Sequence, residues 1–316
     1  MRPAALVLLL CAGGVCAQPW PAKPIRLVVP FPPGASNDII ARLIGQKLAD
    51  NLHQAVVIDN RGGAGGAIGA EIVAKSPPDG YTLLATSTTY TTNFVMQAKP
   101  AFDALTGMAA VAMIAKAPML VTVHPALPAK SVRELIALAT AQPGRINYAS
   151  SGNGSAVHFV TELFKSEARI AMTHVPYKGL GPALNDLVGG QTQVLIASLP
   201  SVMPQVKAKR LNAIAVTSLQ RSVFVPELPT VDESGLHGFT AELWWGLLAP
   251  ANIPQAVVER LNREMRLLLA TDDLKQRLAF EGAAPASLRA REFADYLREE
   301  VARWRQVVKT SGIKIE

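Results

Sequence analysis

The chain has 316 residues, and its 49% hydrophobic and 17% charged content is typical of a well-packed globular protein and excludes a disordered one. Both cysteines lie within the first 17 residues, so the rest of the chain has no disulfide framework, thiolate nucleophile or cysteine-based metal site. The net charge is +7, but acids interrupt the densest basic cluster at residues 289–309, which favours a solvated helix face over nucleic-acid binding.

Residues 1–17 are predicted to form a signal peptide. Arg2 gives a short positive region, Leu6–Leu10 begins an apolar core, and Val15–Ala17 supplies small residues at the cleavage positions. The apolar run is too short to span a bilayer. We therefore expect cleavage after Ala17 and export to the periplasm; the alternative is a buried N-terminal element.

The first predicted strand, Ile25–Val29, ends in a Pro-Pro-Gly turn and continues into a helix predicted over Asp38–Asn51. A corner of this kind leaves backbone N–H groups without partners, and such groups bind an anion without a cationic side chain. Asp38 either orients the loop amides or only caps its own helix. The apolar stripe of the helix is predicted to be Ile39, Ile40, Leu43, Ile44 and Leu48. The candidate ligand-binding residues here are Phe31, Pro33, Gly34, Ala35, Ser36 and Asp38.

Strand-like and helix-like segments alternate along the rest of the chain, which predicts an α/β fold with mainly parallel sheets. Further strands are predicted at Ala55–Asp59, Thr82–Thr86, Met119–His124, Ile146–Ala149, Thr192–Ala197, Leu211–Thr217 and Gly246–Ala249. Further helices are predicted at Ser131–Thr140, Gln255–Leu269 and Glu292–Lys309. The glycines of Arg61–Gly69 fit neither a dinucleotide fingerprint nor a P-loop, and are interpreted as a turn.

A second strand-to-helix corner is predicted at Asn147–Ser155, where the chain turns on two glycines. Its candidate ligand-binding residues are Ser150, Ser151, Gly152, Gly154, Ser155 and His158. Ser155 either binds the ligand or only caps its helix, and His158 either reaches the ligand or only packs. Ser87, Tyr177 and Ser198, each at or near a strand end, are further candidates.

Two segments, Val121–Pro128 and Leu247–Pro254, share the order strand, exit between two prolines, helix. They suggest that the chain crosses between two lobes twice, near residues 121 and 241. The predicted lobes are residues 18–121 plus 241–316 and residues 122–240, with the last helices packing back on the first lobe. A hinge of two crossing segments between α/β lobes creates a cleft.

No catalytic constellation is evident in the sequence. It contains no G-x-S-x-G elbow, its histidines (53, 124, 158, 174 and 237) are dispersed, and no H-E-x-x-H motif occurs. We therefore predict no catalytic residues, no metal and no cofactor. The alternative from a different class is a periplasmic hydrolase that uses Ser155 or Ser151 with His158.

The collinear motifs at residues 23–38, 78–84, 147–158, 174–179 and 229–235 resemble the Bug family, the TctC-like solute-binding receptors of tripartite tricarboxylate transport systems. The resemblance implies a two-lobed, type II (Venus-flytrap) periplasmic binding protein, expected to be a monomer. It would close on a small organic acid, a mono- or dicarboxylate that includes aromatic acids, held mostly by backbone amides and bridging waters. It also implies delivery to an integral-membrane transporter; the alternative partner is a two-component sensor.

Two departures from the family pattern bear on the ligand. Ala35 stands where relatives usually have a second glycine, which puts ordinary dicarboxylate geometry in doubt. Relatives often have an acidic or amide residue near Ala197 and Ser198, and its absence favours a ligand without an amino group at that point.

Overall fold

The computed structural model describes residues 20–311 and residue 313 of the chain, so the predicted signal peptide lies outside the described residues. The strands of this part are β1 (Ile25–Val29), β2 (Val56–Asn60), β3 (Thr82–Ser87), β4 (Met108–Val123), β5 (Asn147–Ser150), β6 (Thr173–Pro176), β7 (Val194–Ser198), β8 (Asn212–Val216), β9 (Glu242–Pro250) and β10 (Ala284–Pro285). The α-helices are α1 (Ser36–Leu52), α2 (Ala67–Ala74), α3 (Thr89–Met96), α4 (Val132–Ala141), α5 (Ala156–Ala168), α6 (Leu180–Val188), α7 (Leu199–Lys207), α8 (Gln255–Ala270), α9 (Asp272–Phe280) and α10 (Ala290–Ser311). No helix of this part combines the length and apolar character needed to cross a bilayer.

Most predicted elements are confirmed, with ends within about two residues of those predicted. The capping prediction for α4 is also confirmed, because Ser131 accepts a hydrogen bond from the Glu134 amide at 3.2 Å. The two long strands were underestimated: β4 begins at Met108 instead of Met119, and β9 begins at Glu242 instead of Gly246. Pro118 inside β4 resembles a strand boundary in the sequence, although it only removes one donor from the ladder.

The sheet is mixed, so the prediction of mainly parallel sheets was wrong. Its strand order is β2-β1-β3-β9-β4-β7-β5-β6, and β8 and β10 also pair with β4. Strands β1, β2 and β3 are parallel, as are β5, β6 and β7. However, β9 pairs antiparallel with both β3 and β4, and β4 pairs antiparallel with β7 and β8. The long β4–β9 pair therefore reverses the strand direction at the centre of the sheet.

Strand β4 connects two lobes, as expected for a type II periplasmic binding protein. Up to Pro118 it pairs with β9, whose residue opposite is Glu242, and from Met119 onward it pairs with β7 and β8. Strands β1, β2, β3 and β9 with the start of β4 form the sheet of the first lobe. The end of β4 with β5 to β8 forms the sheet of the second lobe.

Helix α10 packs against both lobes; the sequence predicted that the last helices pack back on the first lobe. The Phe293 ring meets Trp244 of β9 edge to face, with centroids 5.4 Å apart. Near the other end of the helix, Trp304 meets Phe159 of α5 edge to face at 5.7 Å. Because all four rings are buried, one continuous apolar core runs behind the two lobes.

Candidate functional site

A cleft of about 1,280 Å³, open solvent included, lies between the two lobes. Seven of the predicted ligand-binding residues line it: Phe31, Ala35, Ser36, Ser87, Ser151, Ser155 and Ser198. The other predicted residues do not belong to the lining, and lie in or next to the same two corners or after β6: Pro33, Gly34, Asp38, Ser150, Gly152, Gly154, His158 and Tyr177. Sequence reasoning thus located both loops, but it did not separate the residues that face the cleft from those that support it.

The first corner has its left-handed residue at Gly34, whose φ is +82°. A side chain at this position would strain the turn, although no heavy atom lies within 4 Å of where its Cβ would stand. Ala35 has φ −69° and ψ 156°, an ordinary extended conformation at the N-cap of α1. The alanine that replaces the second family glycine therefore causes no backbone strain.

Asp38 holds this loop in place from behind. The residue is 2% exposed, and its Oδ2 accepts hydrogen bonds from the Gly34 amide and from Arg42 Nε, both at 2.9 Å. Its Oδ1 accepts from Asn60 Nδ2 at 2.9 Å, and the same amide group also donates to the Phe31 carbonyl at 3.0 Å. The carboxylate therefore orients the loop amides, which was one of its two predicted roles.

The charge of Asp38 is well stabilised. Burial raises the pKa of its carboxyl, but hydrogen bonds from Arg42, Gly34 and Asn60 together outweigh burial and hold the pKa below its usual value. Asp38 is consequently ionised throughout the neutral range and keeps the loop fixed there.

The start of α1 offers free donors to the cleft. The amides of Asp38 and Ile39 donate back to the Ala35 carbonyl, whereas those of Ser36 and Asn37 have no acceptor in the described part of the chain. Asn37 is 6% exposed, and its Nδ2 is buried without a partner among the described residues. Sequence analysis did not propose Asn37 as a ligand-binding residue.

Ile39, predicted to belong to the buried stripe of α1, is 39% exposed and lines the cleft. Ile40, Ile44 and Leu48 carry the buried stripe instead. Successive residues of a helix are rotated by about 100° about its axis. Ile39 therefore lies at the edge of the buried stripe and faces the opening of the cleft.

The second corner turns on Gly152, whose φ is +122°. A Cβ at this position would lie 3.1 Å from the Tyr177 carbonyl, so glycine also allows the close approach of the neighbouring loop. Ser155 caps α5 by accepting from the His158 amide at 3.2 Å, and it also lines the cleft. The Ser151 hydroxyl lines the cleft and makes no hydrogen bond to a described residue.

His158 packs beneath this corner and does not belong to the cleft lining. It is 5% exposed, its Nδ1 accepts from the Gly154 amide at 3.3 Å, and its ring stacks on that of His174 with centroids 4.0 Å apart. His174 stacks in turn on Tyr148 at 4.8 Å. Burial lowers the pKa of each histidine to about 4, assisted by Lys165 and, for His174, by His158. Both imidazoles are therefore neutral at pH 7.

The hydrolase alternative lacks geometric support. Ser155 contacts His158 through the backbone amide of the histidine, and the imidazole Nδ1 is occupied by Gly154. A different serine, Ser150, does lie 2.6 Å from His174 Nε2, but it is 0% exposed. Its hydroxyl is thus out of reach of a substrate in the cleft.

Tyr177 turns away from the cleft, because its hydroxyl donates to Asp186 Oδ2 at 2.7 Å. Ser198 does line the cleft, where its hydroxyl lies 2.5 Å from that of Ser201 at the start of α7. The second lobe therefore contributes mostly hydroxyl groups and apolar side chains to the lining.

Sequence reasoning missed Trp245, which lines the cleft from β9. It is 5% exposed, and its Nε1 is buried without a partner in the described chain. Its neighbour Trp244 points to the other face of the sheet and donates from Nε1 to Glu300 Oε2 at 2.6 Å. The alternation of a strand would have separated the two tryptophans if β9 had been predicted at its full length.

The lining combines hydroxyl and amide groups with apolar side chains and is almost uncharged. Among the described lining residues, Glu281 is the one with an ionisable side chain, and none is a lysine, arginine or histidine. The N–H and O–H dipoles of two facing loops, surrounded by apolar walls, suit a small anion whose charge is concentrated in one group.

Comparisons with known proteins agree with this architecture. Residues 40–313 match the family described as "Tripartite tricarboxylate transporter family receptor". The chain is 36% identical over 307 residues to Protein BugT of Bordetella pertussis, covering 96% of this chain and 94% of BugT.

Solved structures give the same result. The R. palustris protein Rpa4515, solved with adipate, has a TM-score of 0.82 and 36% identity, with 93% of this chain and 99% of that chain covered. MatC (Rpa3494) from Rhodopseudomonas palustris, solved with malate, has a TM-score of 0.78 and 31% identity, with coverage of 92% and 100%. The predicted resemblance is confirmed, and the chain belongs to the family of tripartite tricarboxylate transporter receptors.

Proposed function

We propose that this protein is a periplasmic receptor that binds a small carboxylate between its lobes and delivers it to an integral-membrane transporter. The observation that carries the proposal is the pair of facing corners, with free amides at Ser36 and Asn37 on one lobe and the Ser151 hydroxyl on the other. The adipate and malate bound to two related structures support a carboxylate ligand.

In this proposal the loop residues divide into two groups. Ser36, Asn37, Ser87, Ser151 and Ser155 donate hydrogen bonds to the ligand, directly or through water. Another group positions them: Asp38 fixes the first loop through the Gly34 amide, and His158 fixes the second through the Gly154 amide. The cleft needs no cationic side chain, because preorganised dipoles stabilise an anion where water is excluded.

Closure of the lobes completes the site. We propose that the two crossing segments near residues 121 and 241 form the hinge, with the lobes at residues 18–121 plus 241–316 and residues 122–240. A carboxylate held by both corners at once would bind the closed form better than the open one, and would thereby shift the population toward closure. The expected molecule is a monomer, cleaved after Ala17 and exported.

Binding is tested by titration calorimetry and by thermal shift of the mature chain with a panel of mono-, di- and aromatic carboxylates. At least one acid should raise the melting temperature in a saturable way, because a ligand specific for the folded state stabilises it. Ser151→Ala should reduce the affinity for that acid about tenfold, which is the approximate effect of losing a hydrogen bond to a charged group. Ser287→Ala, an exposed serine outside the cleft lining, should leave affinity unchanged.

The proposal would fail if no acid of the panel stabilised the protein. Unchanged affinity in Ser151→Ala would place the ligand away from the second corner. Mass spectrometry of the exported protein tests the localisation, since an N-terminus at Gln18 is expected and an intact Met1 would contradict it.

A further inference from the structure

Glu281 contributes the ionisable side chain to the described lining of the cleft. It follows the last residue of α9 and lies in the short connection to β10 in the first lobe. The next residue, Gly282, touches the second lobe: a Cβ on it would lie 2.9 Å from Pro200 Cδ and 3.5 Å from Leu199 Cβ. Glu281 is thus located beside the start of α7, where Ser198, Pro200 and Ser201 line the same cavity.

No neighbouring cation neutralises this carboxylate. A second groove on the outer side of Glu281 contains Arg42 and Arg277, but both guanidinium groups have other partners. Arg42 Nε donates to Asp38 at 2.9 Å, and Arg277 Nε donates to Asp273 at 3.1 Å. Within the described residues, the Glu281 side chain makes no hydrogen bond or ion pair. In particular, it accepts no hydrogen bond from the backbone amides in the first turn of α7. Its half-buried charge is therefore available to a ligand in the cleft.

The polarity of the cavity is consequently asymmetric. The N-termini of α1 and α5 present donors that attract a carboxylate, whereas Glu281 presents an acceptor and a negative charge. Much of the remaining lining is apolar, with Phe31, Ile39, Val157, Leu180 and Trp245 among its side chains. Within one cavity, a second negative charge on the ligand is repelled by the Glu281 carboxylate, and a positive charge is attracted to it.

We propose that Glu281 sets the ligand specificity of this receptor, by selecting a carboxylic acid that carries an ammonium group at its other end and disfavouring dicarboxylates. This inference rests on the proposed function, since it assumes that the carboxylate is held at the two corners. It revises the expectation drawn from Ala197 and Ser198, because a residue remote in sequence supplies the acidic group at that end. The carboxylate accepts hydrogen bonds from the ammonium group, and the apolar walls cover the chain between the two charges.

The test compares three sets of acids of matched length, from four to six carbons, by calorimetry on the mature protein. Each set contains the dicarboxylate, the unbranched monocarboxylate and the amino acid with a terminal amine, for example adipate, hexanoate and 6-aminohexanoate. In the wild type, the amino acid should bind about fivefold to tenfold more tightly than the monocarboxylate, and the dicarboxylate should bind most weakly. This order is measured on the native chain and does not depend on any variant.

Glu281→Gln should remove the preference, so that the dicarboxylate gains affinity about fivefold and the amino acid loses a similar factor. Glu227→Gln is the matched control, because it removes the same charge at an exposed position outside the cleft lining. It should preserve the wild-type order. Salt should weaken the preference, since Glu281 is only half buried.

The outcomes separate the two proposals. This inference would be overturned if dicarboxylates bound saturably and as tightly as the matched amino acids. It would also be overturned if Glu281→Gln left the order of affinities unchanged. Either result would leave the proposed function intact. Absence of binding by every carboxylate of the sets and of the wider panel would overturn both.

Discussion

Trp244 and Trp245 are neighbours in β9, yet their indole N–H groups have opposite environments. Trp244 donates to the buried carboxylate of Glu300, whereas Trp245 Nε1 has no partner among the described residues. A buried donor without an acceptor reduces the stability of the fold by about 1–3 kcal/mol. Its persistence at the lining of a cleft suggests that a ligand or a water supplies the acceptor.

Trp245→Phe tests this suggestion. It keeps the aromatic wall and removes the donor, so affinity for the best carboxylate should fall about tenfold, while thermal stability without ligand stays the same or rises slightly. Trp20→Phe is a close control, since Trp20 Nε1 is also buried without a partner but lies outside the cleft lining. If calorimetry finds equal affinities in both variants, the indole nitrogen takes no part in binding.

Asp38 illustrates a residue whose proposed effect on the ligand is exerted through other groups. Asp38→Ala removes the acceptor of the Gly34 amide, of Asn60 and of Arg42 at once. We expect unfolding free energy to fall by about 1–3 kcal/mol and affinity to fall about tenfold or more, because the first loop loses its anchor.

Asp38→Asn provides the comparison, since it preserves one acceptor oxygen. It should recover part of the affinity in calorimetry and part of the stability in urea unfolding. A variant Asp38→Ala with wild-type affinity would show that the loop holds its shape without the carboxylate.

Among the elements, the connection from β5 to α5 depends most on its support. His158 and His174 stack below it and accept or share hydrogen bonds with Gly154 and Ser150. Neutral imidazole is required for His158 Nδ1 to accept from the Gly154 amide. The second corner therefore depends on the protonation state of a buried pair of histidines.

Because neutral His158 supports the second corner, we predict that the free energy of unfolding falls as the pH is lowered. The pKa of His158 is about 4 in the folded protein against an ordinary value of 6.5, so between these values the unfolded chain binds a proton that the folded chain does not. The stabilisation is complete above about pH 6.5 and is lost as the pH falls toward 4. For one histidine the loss by about pH 4.5 is roughly 2 kcal/mol.

Urea unfolding between about pH 7 and pH 4.5 measures the effect. His158→Asn places an amide oxygen near the former Nδ1 and removes the titration, so the pH dependence should become weaker. His53→Asn is the control, because His53 is exposed and its left-handed conformation suits asparagine. Equal slopes in the wild type and both variants would exclude His158 as the source.

For the whole molecule, Thr217 joins the two segments that cross between the lobes. Its amide donates to the Met119 carbonyl at 3.0 Å and its Oγ1 accepts from the Met119 amide at 2.8 Å, while its own carbonyl accepts from Ala241 at 2.9 Å. Thr217 is 0% exposed, so none of these groups can exchange its partner for water.

Thr217→Val keeps the shape of the side chain and leaves the Met119 amide without this acceptor. Unfolding free energy should fall by about 1–3 kcal/mol, because a buried donor loses its partner. Thr140→Val on the exposed face of α4 removes a hydroxyl that also bonds to backbone, and should change stability much less. Similar losses of unfolding free energy in the two variants would show that the hydrogen bonds at the crossing do not stabilise the protein more than an exposed one does.

The sequence by itself determined most helices and strands, the two strand-to-helix corners and the family. The elements and corners depend on local patterns, because apolar periodicity, turn residues and capping groups act over a few positions, whereas the family was identified by the resemblance of collinear motifs. The same patterns placed Gly34 and Gly152 in turns, and both adopt positive φ. They did not extend β4 through Pro118, because pairing with β9 compensates for a residue that locally favours a break.

The tertiary structure alone decided which residues face the cleft. Trp245 and Glu281 meet Ser151 and Ser198 there, although they are far apart in the chain and no local pattern connects them. Burial likewise decided that Asp38 and His158 support the loops, because only the packed surroundings remove a side chain from solvent. Composition and spacing predict what a segment forms, whereas the electrostatic character of the cleft arises only when distant segments converge.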